Sequence, residues 1–171
     1  MSIRNLDALL EPNSVAVFGA SDRIGSVGAT VWNNLRAGGF SGTIYPVNPK
    51  HSALNGAPVF SSAADLPTVP ELAVLCTPPA TIPGLIEALG KLGTRAAIVV
   101  TAGLSSVQKQ AMLDAARPHL LRVLGPNCLG LLNPRLGLNA SFAHTNALAG
   151  EMAFVSQSGA LVTAVLDWAK T

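Results

Sequence analysis

Apolar residues enter this chain in short continuous runs, separated by longer stretches with helical spacing. Residues 15–18, Val-Ala-Val-Phe, form the first run, and residues 72–76 and 96–100 are two more; residues 43–47 and 122–124, which open on Thr43 and Arg122, read as further strands. Uninterrupted apolar runs of this length predict strands buried on both faces, as in a parallel sheet. Between them the period changes. Val27, Val31 and Leu35 stand four residues apart, and Ile82, Leu85, Ile86 and Leu89 follow the i, i+3, i+4, i+7 pattern of a helix. Gly38-Gly39 and Gly93 are placed to stop these two helices. Ser105 with Gln108 predicts a capping box for a further helix through Met112 and Ala116, closed by Pro118. Leu6, Leu9 and Leu10 predict a short capped helix over residues 5–10, ended by Pro12.

Strands alternating with helices at this spacing specify βαβ units and a doubly wound parallel sheet, an α/β fold. Residues 133–150 carry little periodicity and read as an irregular connection. Residues 152–155 then predict a new strand, and Ser156-Gln157-Ser158-Gly159 turns into a helix bearing Leu161, Val162, Val165 and Leu166. One βα unit cannot bury both faces of a sheet. The division expected is an α/β domain over residues 1–140, then a connection and the first βα unit of a second α/β domain over residues 141–171. The sequence thus reads as the N-terminal part of something longer.

Composition agrees with a packed globular chain: 49% of the 171 residues are hydrophobic and 12% charged, which excludes disorder. The net charge of +2 is too small, and Lys and Arg too scattered, for a nucleic-acid stripe. No apolar run is long enough to span a membrane, and the N-terminus lacks the blocks of a signal peptide. Cys76 and Cys128 form no CxxC and no metal spacing, so the expectation is a reduced, cytoplasmic protein without a metal.

Candidate chemistry collects at the carboxyl ends of the predicted strands, where open parallel sheets bind ligands. At the first end, a strand, a glycine turn and a helix place backbone N–H groups and a helix N-terminus together, which makes an anion site. The spacing departs from the dinucleotide fingerprint. Gly19 pairs with Gly25 and Gly28, and Ala20 and Ser21 stand where Gly-x-Gly would continue. The other ends read Val47-Asn48-Pro49-Lys50, Cys76-Thr77-Pro78-Pro79, Thr101-Ala102-Gly103 and Gly125-Pro126-Asn127-Cys128, with no carboxylate among them. Gly and Pro punctuate strand ends in any α/β protein, but five such ends in succession favour a phosphate-bearing ligand. After the second strand an NAD-binding protein usually places Asp or Glu for the ribose hydroxyls. Here Lys50 stands instead, and a cation can pair with a phosphorylated ribose. This favours coenzyme A, with its ribose 3′-phosphate, or NADP over NAD; the plain alternative is a solvated surface charge.

No catalytic residue is expected. His51, His119 and His144 have no visible partners, although His144 alone falls near a plausible ligand edge. No HExxH, P-loop or carboxylate pair appears. Cys128 could be imagined as a nucleophile at a helix N-terminus, but a small buried thiol in a tight turn is the better reading, and Cys76 reads as structural or a contact residue. Ser156-Gln-Ser-Gly lacks the leading glycine of a hydrolase elbow and reads as a second phosphate cradle with Ser158 as N-cap.

Taken together, Val-Phe-Gly-Ala-Ser, Tyr-Pro-Val-Asn-Pro-Lys, Leu-Cys-Thr-Pro-Pro, Thr-Ala-Gly, Gly-Pro-Asn-Cys-Leu-Gly, Leu-Asn-Ala-Ser-Phe and Phe-Val-Ser-Gln-Ser-Gly-Ala occur in order along the chain. They resemble the CoA-binding domain of the NDP-forming acyl-CoA synthetases, the superfamily of the succinyl-CoA synthetase alpha subunit. The Leu-Asn-Ala-Ser-Phe stretch looks most like large bacterial proteins that join this module to an acetyltransferase. The resemblance implies a Rossmann-like domain that binds CoA or acyl-CoA within an acid–CoA ligase (ADP-forming). It implies an acyl-CoA sensor of a lysine acetyltransferase as the alternative, with an NADP reductase last. It also implies partner domains or a partner subunit that supply the phosphohistidine, ADP/ATP and Mg2+, and a second domain of flavodoxin-like type. In that family Ser21 to Ser26, with Arg23, Ile24 and Gly25, would wrap the CoA phosphates. Lys50, beside Val47 and Asn48, would meet the nucleotide portion. Thr77, Pro78, Pro79, Thr101 and Ala102 would line the adenine and pantetheine path, with Asn127 and Cys128 near the thiol. Ser156, Ser158 and Gly159 would open a helix facing the phosphohistidine. Many relatives have Thr-Glu-Gly where this chain has Thr101-Ala102-Gly103, so any role of that carboxylate is missing here.

Overall fold

The computed structural model describes residues 3–170. Five strands form one parallel sheet: β1 (Ser14–Phe18), β2 (Thr43–Val47), β5 (Leu72–Leu75), β6 (Ala96–Val99) and β7 (Arg122–Leu124), in the spatial order β2-β1-β5-β6-β7. Between β2 and β5 lies a small antiparallel pair, β3 (Ala53–Leu54) and β4 (Ala57–Pro58), within what reads in sequence as a polar loop. The helices are α1 (Leu6–Leu10), α2 (Val27–Ala37), α3 (Ile82–Leu92), α4 (Ser106–Ala116) and α5 (Gly159–Trp168).

The continuous apolar runs form strands because both faces of the sheet are covered. Val15 and Val17 of β1 face a layer with Val31, Trp32 and Leu35 of α2, whereas Ala16 and Phe18 face Ile82, Ile86 and Leu89 of α3 and Met112 of α4. All four central-strand residues from 15 to 18 are therefore buried. The capping box at Ser105 forms, with the serine hydroxyl accepting from the Gln108 N–H and the Gln108 side chain accepting from the Ser105 N–H. At the opposite end of the sheet from the strand carboxyl ends, Arg95 pairs with Asp7 of α1 at 3.1 Å and with Glu71 at 2.8 Å, tying α1 beneath the sheet.

Three expectations are corrected. Residues 133–150 are not all irregular: β8 (Gly130–Asn133) and β9 (Leu138–Ser141) form an antiparallel hairpin that packs on α2, burying Leu138 and Ala140 in the α2 layer. Residues 152–155 form no strand. Met152, Phe154 and Val155 are exposed, and no edge among the described residues pairs with them, so the propensity has no ladder to join. The helix α5 does form, with the Ser158 hydroxyl accepting from the Leu161 N–H as its N-cap. Asn5 precedes α1 in the left-handed region, and its side chain donates to the Leu120 carbonyl rather than capping the helix.

Candidate functional site

The strand order reverses direction at β1, with β2 on one side and β5 on the other. In doubly wound sheets, ligands bind at such a switch point, beyond the carboxyl ends of the strands. A cleft of ≈ 860 Å3 opens there, within the range of small-molecule sites. A hollow of ≈ 570 Å3, lined in part by Arg4, Leu113 and Arg122, lies at the other end of β7 and gathers no residue from the strand carboxyl ends.

The first wall is the loop from β1 into α2. Gly19 has φ +84°, and a Cβ there would lie 2.8 Å from the Cys76 carbonyl oxygen. A Cβ at Gly28 would lie 1.9 Å from the Gly19 oxygen, so the first turn of α2 approaches the end of β1 as no other residue would permit. Ser26 caps α2, its hydroxyl accepting from the Ala29 N–H at 3.2 Å. The N–H groups of Val27 and Gly28 precede the intrahelical ladder and lie at the cleft. Within the loop, the Ser21 hydroxyl accepts from the Arg23 N–H at 3.0 Å.

The second wall follows β2. The Asn48 amide donates to the Ala20 carbonyl at 2.8 Å and accepts from the Lys50 N–H at 3.0 Å, so it clips the β1 loop and turns the chain toward Lys50. Lys50 and His51 line this end with Asp22 and Arg23. The floor is held by Thr101, whose hydroxyl donates to the carbonyls of Thr77 (2.7 Å) and Leu75 (3.3 Å), bridging the ends of β5 and β6. Asn127 is anchored by its N–H to the Thr101 carbonyl at 3.0 Å.

Of the residues singled out by sequence, Gly19, Ser21, Arg23 and Ser26 line the cleft from the first wall. Val47, Asn48 and Lys50 line it from the second, and Thr77, Pro78, Thr101, Ala102 and Asn127 from the floor. Ala20 is fully buried, and its carbonyl bonds Asn48; Ile24 is 98% exposed at the tip of the loop beside Gly25. Ala20, Ile24, Gly25, Pro79 and Cys128 fall outside the lining. Ser156, Ser158 and Gly159 also lie outside it, although a Cβ at Gly159 would stand 3.8 Å from Leu129 Cβ, which places the start of α5 beside the segment after β7.

Other lining residues escape the sequence reading. Asp22 brings a carboxylate into the cleft, and Ser61 and Ser62 follow the β3–β4 pair. Phe142 follows β9, in the stretch read as irregular. The alternation of Leu138 and Ala140 after Gly137 was the signal that could have found that hairpin. His144 does not line the cleft; its Nε2 lies 2.6 Å from Asp167 Oδ1 of α5, and His51 is the histidine that lines it.

The thiols are poor nucleophiles. Burial, with a smaller push from neighbouring Cys128, raises the Cys76 thiol to about 12, and burial also raises Cys128, whose S–H points at the Val99 carbonyl. Among the described residues no group of His, Cys, Asp and Glu is arranged to hold a metal, and no helix is long and apolar enough to cross a membrane.

Fold and cleft together define a Rossmann-like α/β domain whose cleft is lined by the start of α2 and by the charged side chains of Asp22, Arg23 and Lys50. A family model described as "CoA binding domain" matches residues 13–134, and the chain belongs to that family. It is homologous to the N-terminal part of ADP-forming acetate–CoA ligases. It is 36% identical to Acetate--CoA ligase [ADP-forming] I of Archaeoglobus fulgidus, over 96% of this chain and 25% of that protein. It is 35% identical to the Acetate--CoA ligase [ADP-forming] I subunit alpha of Pyrococcus furiosus, over 96% of this chain and 38% of the relative. Among solved structures, the dinucleotide forming Acetyl-coenzyme A synthetase 1 of Ca. Korarchaeum cryptofilum, in complex with phosphate and ADP, superposes with a TM-score of 0.90 at 35% identity, covering 95% of this chain and 36% of that one. The chain therefore spans well under half the length of these relatives.

Proposed function

We propose that this chain binds coenzyme A and acyl-CoA in the cleft at the β1/β5 switch point, as the N-terminal domain of an ADP-forming acyl-CoA synthetase. The observation that carries the reading is the placement of Lys50 after β2, on the cleft, where an NAD site would hold an acid. Two features fit a pyrophosphate beside it: the close backbone approach at Gly19 and Gly28, and the α2 N-terminus. The cleft's residues fit CoA in that direction: Ser21, Arg23, Ser26 and Gly28 toward the phosphates, Lys50 toward the ribose phosphate, and Thr101, Ala102 and Asn127 toward the pantetheine arm.

The parent reaction would join acyl-CoA, phosphate and ADP to give acid, CoA and ATP, through acyl-phosphate and phosphohistidine steps. The phosphohistidine, the nucleotide and Mg2+ belong in this scheme to partner domains or a partner subunit. This domain holds the thioester in place for attack, a proximity role. The start of α5, with Ser156 and Ser158, would face the phosphorylated group. Residues 1–140 form the CoA domain in this scheme, and residues 141–171 lead into the next, in a cytoplasmic enzyme. The acetyltransferase-linked sensor draws no support from the relatives named, which are ligases.

Isothermal titration of the chain with CoA, acetyl-CoA and NADPH tests the reading. Heat with both CoA ligands and none with NADPH is expected; binding of NADPH alone would overturn it.

A further inference from the structure

Phe142 stands out from its surroundings. Its neighbours Ser141 and Ala143 are 0% and 1% exposed, whereas Phe142 itself is 39% exposed and lines the cleft. An aromatic ring at the end of a hairpin would normally turn inward, as Leu138 and Ala140 do. The backbone on both sides of it is held too firmly for that. The Asn34 amide of α2 donates one hydrogen to the Ser141 carbonyl (2.9 Å) and the other to the Ala143 carbonyl (2.8 Å). The Ser141 hydroxyl donates to Asn139 Oδ1 at 2.6 Å and accepts from the Ala143 N–H at 3.2 Å. The Phe142 N–H donates to the Leu129 carbonyl at 3.1 Å, fastening the turn to the segment after β7. A buried polar network thus fixes a turn whose exposed product at the cleft is one aromatic ring.

The cleft is also polarised along the sheet. Asp22, Arg23, Lys50 and His51 mark the β2–β1 end, whereas Val100, Ala102 and Asn127 at the β6–β7 end carry no charge, and the Phe142 N–H is fastened to Leu129, just after β7. An elongated ligand with a charged head and a neutral tail can lie only one way in such a field, with its tail toward Phe142. Resting on the CoA reading above, we infer that Phe142 is the apolar wall for the pantetheine–thioester arm and its acyl group, and that Asn34 is the positioning residue that holds it there. Asn34 touches no ligand in this arrangement; it acts through the backbone of residues 141 and 143.

The test titrates the chain with three probes: adenosine 3′,5′-bisphosphate (the head alone), CoA, and butyryl-CoA. Phe142→Ala is expected to leave the bisphosphate affinity unchanged. It should weaken CoA about three- to tenfold, the scale of one lost aromatic contact, and butyryl-CoA by more. Phe142→Leu should restore part of the loss. Asn34→Ala should show the same order of losses across the probes, a ligand-selective pattern that general destabilisation would not produce. Because Phe142 is exposed, its variants are expected to melt with the parent protein, so the Phe142 arm decides the matter even if Asn34→Ala unfolds. Equal losses for all three probes, or none for any, would overturn the inference. Failure of the unmodified chain to bind CoA at all would overturn the CoA reading itself.

Discussion

Asn48 uses both ends of its amide on backbone, so the residue after β2 works as a clip, and Lys50 is the cation this turn brings to the cleft. The exposed ammonium of Lys50 can add only a screened ion pair. Lys50→Glu should therefore weaken CoA roughly five- to tenfold at low salt, and dephospho-CoA, which lacks the 3′-phosphate, markedly less. Equal losses in calorimetry would place Lys50 away from that phosphate. At Cys76 the sign of the pH effect follows from burial. The unfolded thiol loses its proton near 9.0 and the folded one at about 12, so the unfolded state is favoured increasingly as pH rises between these values. The urea midpoint should fall above pH 9 in the parent protein and fall less steeply in Cys76→Ala. At neutral pH both thiols should react slowly with a disulfide reagent until the chain unfolds.

At the scale of elements, the α2 and α4 N-termini offer a matched pair. Both are capped by serine, Ser26 accepting from Ala29 and Ser105 from Gln108, but only Ser26 lies on the cleft. Alanine at either position should cost about 1 kcal/mol of stability, read from denaturant midpoints. Ser26→Ala should also weaken CoA, whereas Ser105→Ala should not. The Ser105 cap was legible in the sequence because its capping box pairs Ser105 with Gln108 three residues on; Ser26 has Ala29 at that spacing and gave no such pair. The strands β1, β5 and β6 were legible too, because double burial leaves an unbroken apolar run. The β8–β9 hairpin left only the short alternation of Leu138 and Ala140 as a signal, since Asn139 and Ser141 are buried polar residues whose side chains bond each other, while the Asn34 amide bonds the Ser141 carbonyl across 107 residues. Polarity there reports a hydrogen-bond network rather than exposure. The strand expected at residues 152–155 failed for the converse reason. A periodicity belongs to one segment, whereas a strand needs a neighbouring edge.

For the whole molecule, sequence located the cleft well from the strand ends, because in a parallel sheet the carboxyl ends must meet at one edge. It missed the pieces brought in from outside the sheet, Ser61, Ser62 and Phe142, whose positions depend on long-range packing. The cleft's lining runs from Phe18 to Phe142 and takes residues from the end of every strand in the sheet. Such a site has no local version. It does not exist until most of the chain is in place, and opening any one strand dissolves it. Ligand occupancy is therefore coupled to global unfolding rather than to the fluctuation of one loop. With CoA at a hundred times its dissociation constant, that coupling is worth about 2.7 kcal/mol, or a rise in Tm of roughly 5–10 °C for a chain of this size. In hydrogen exchange, the slowing should reach the amides of β1, β5 and β6 together, including residues far from the ligand.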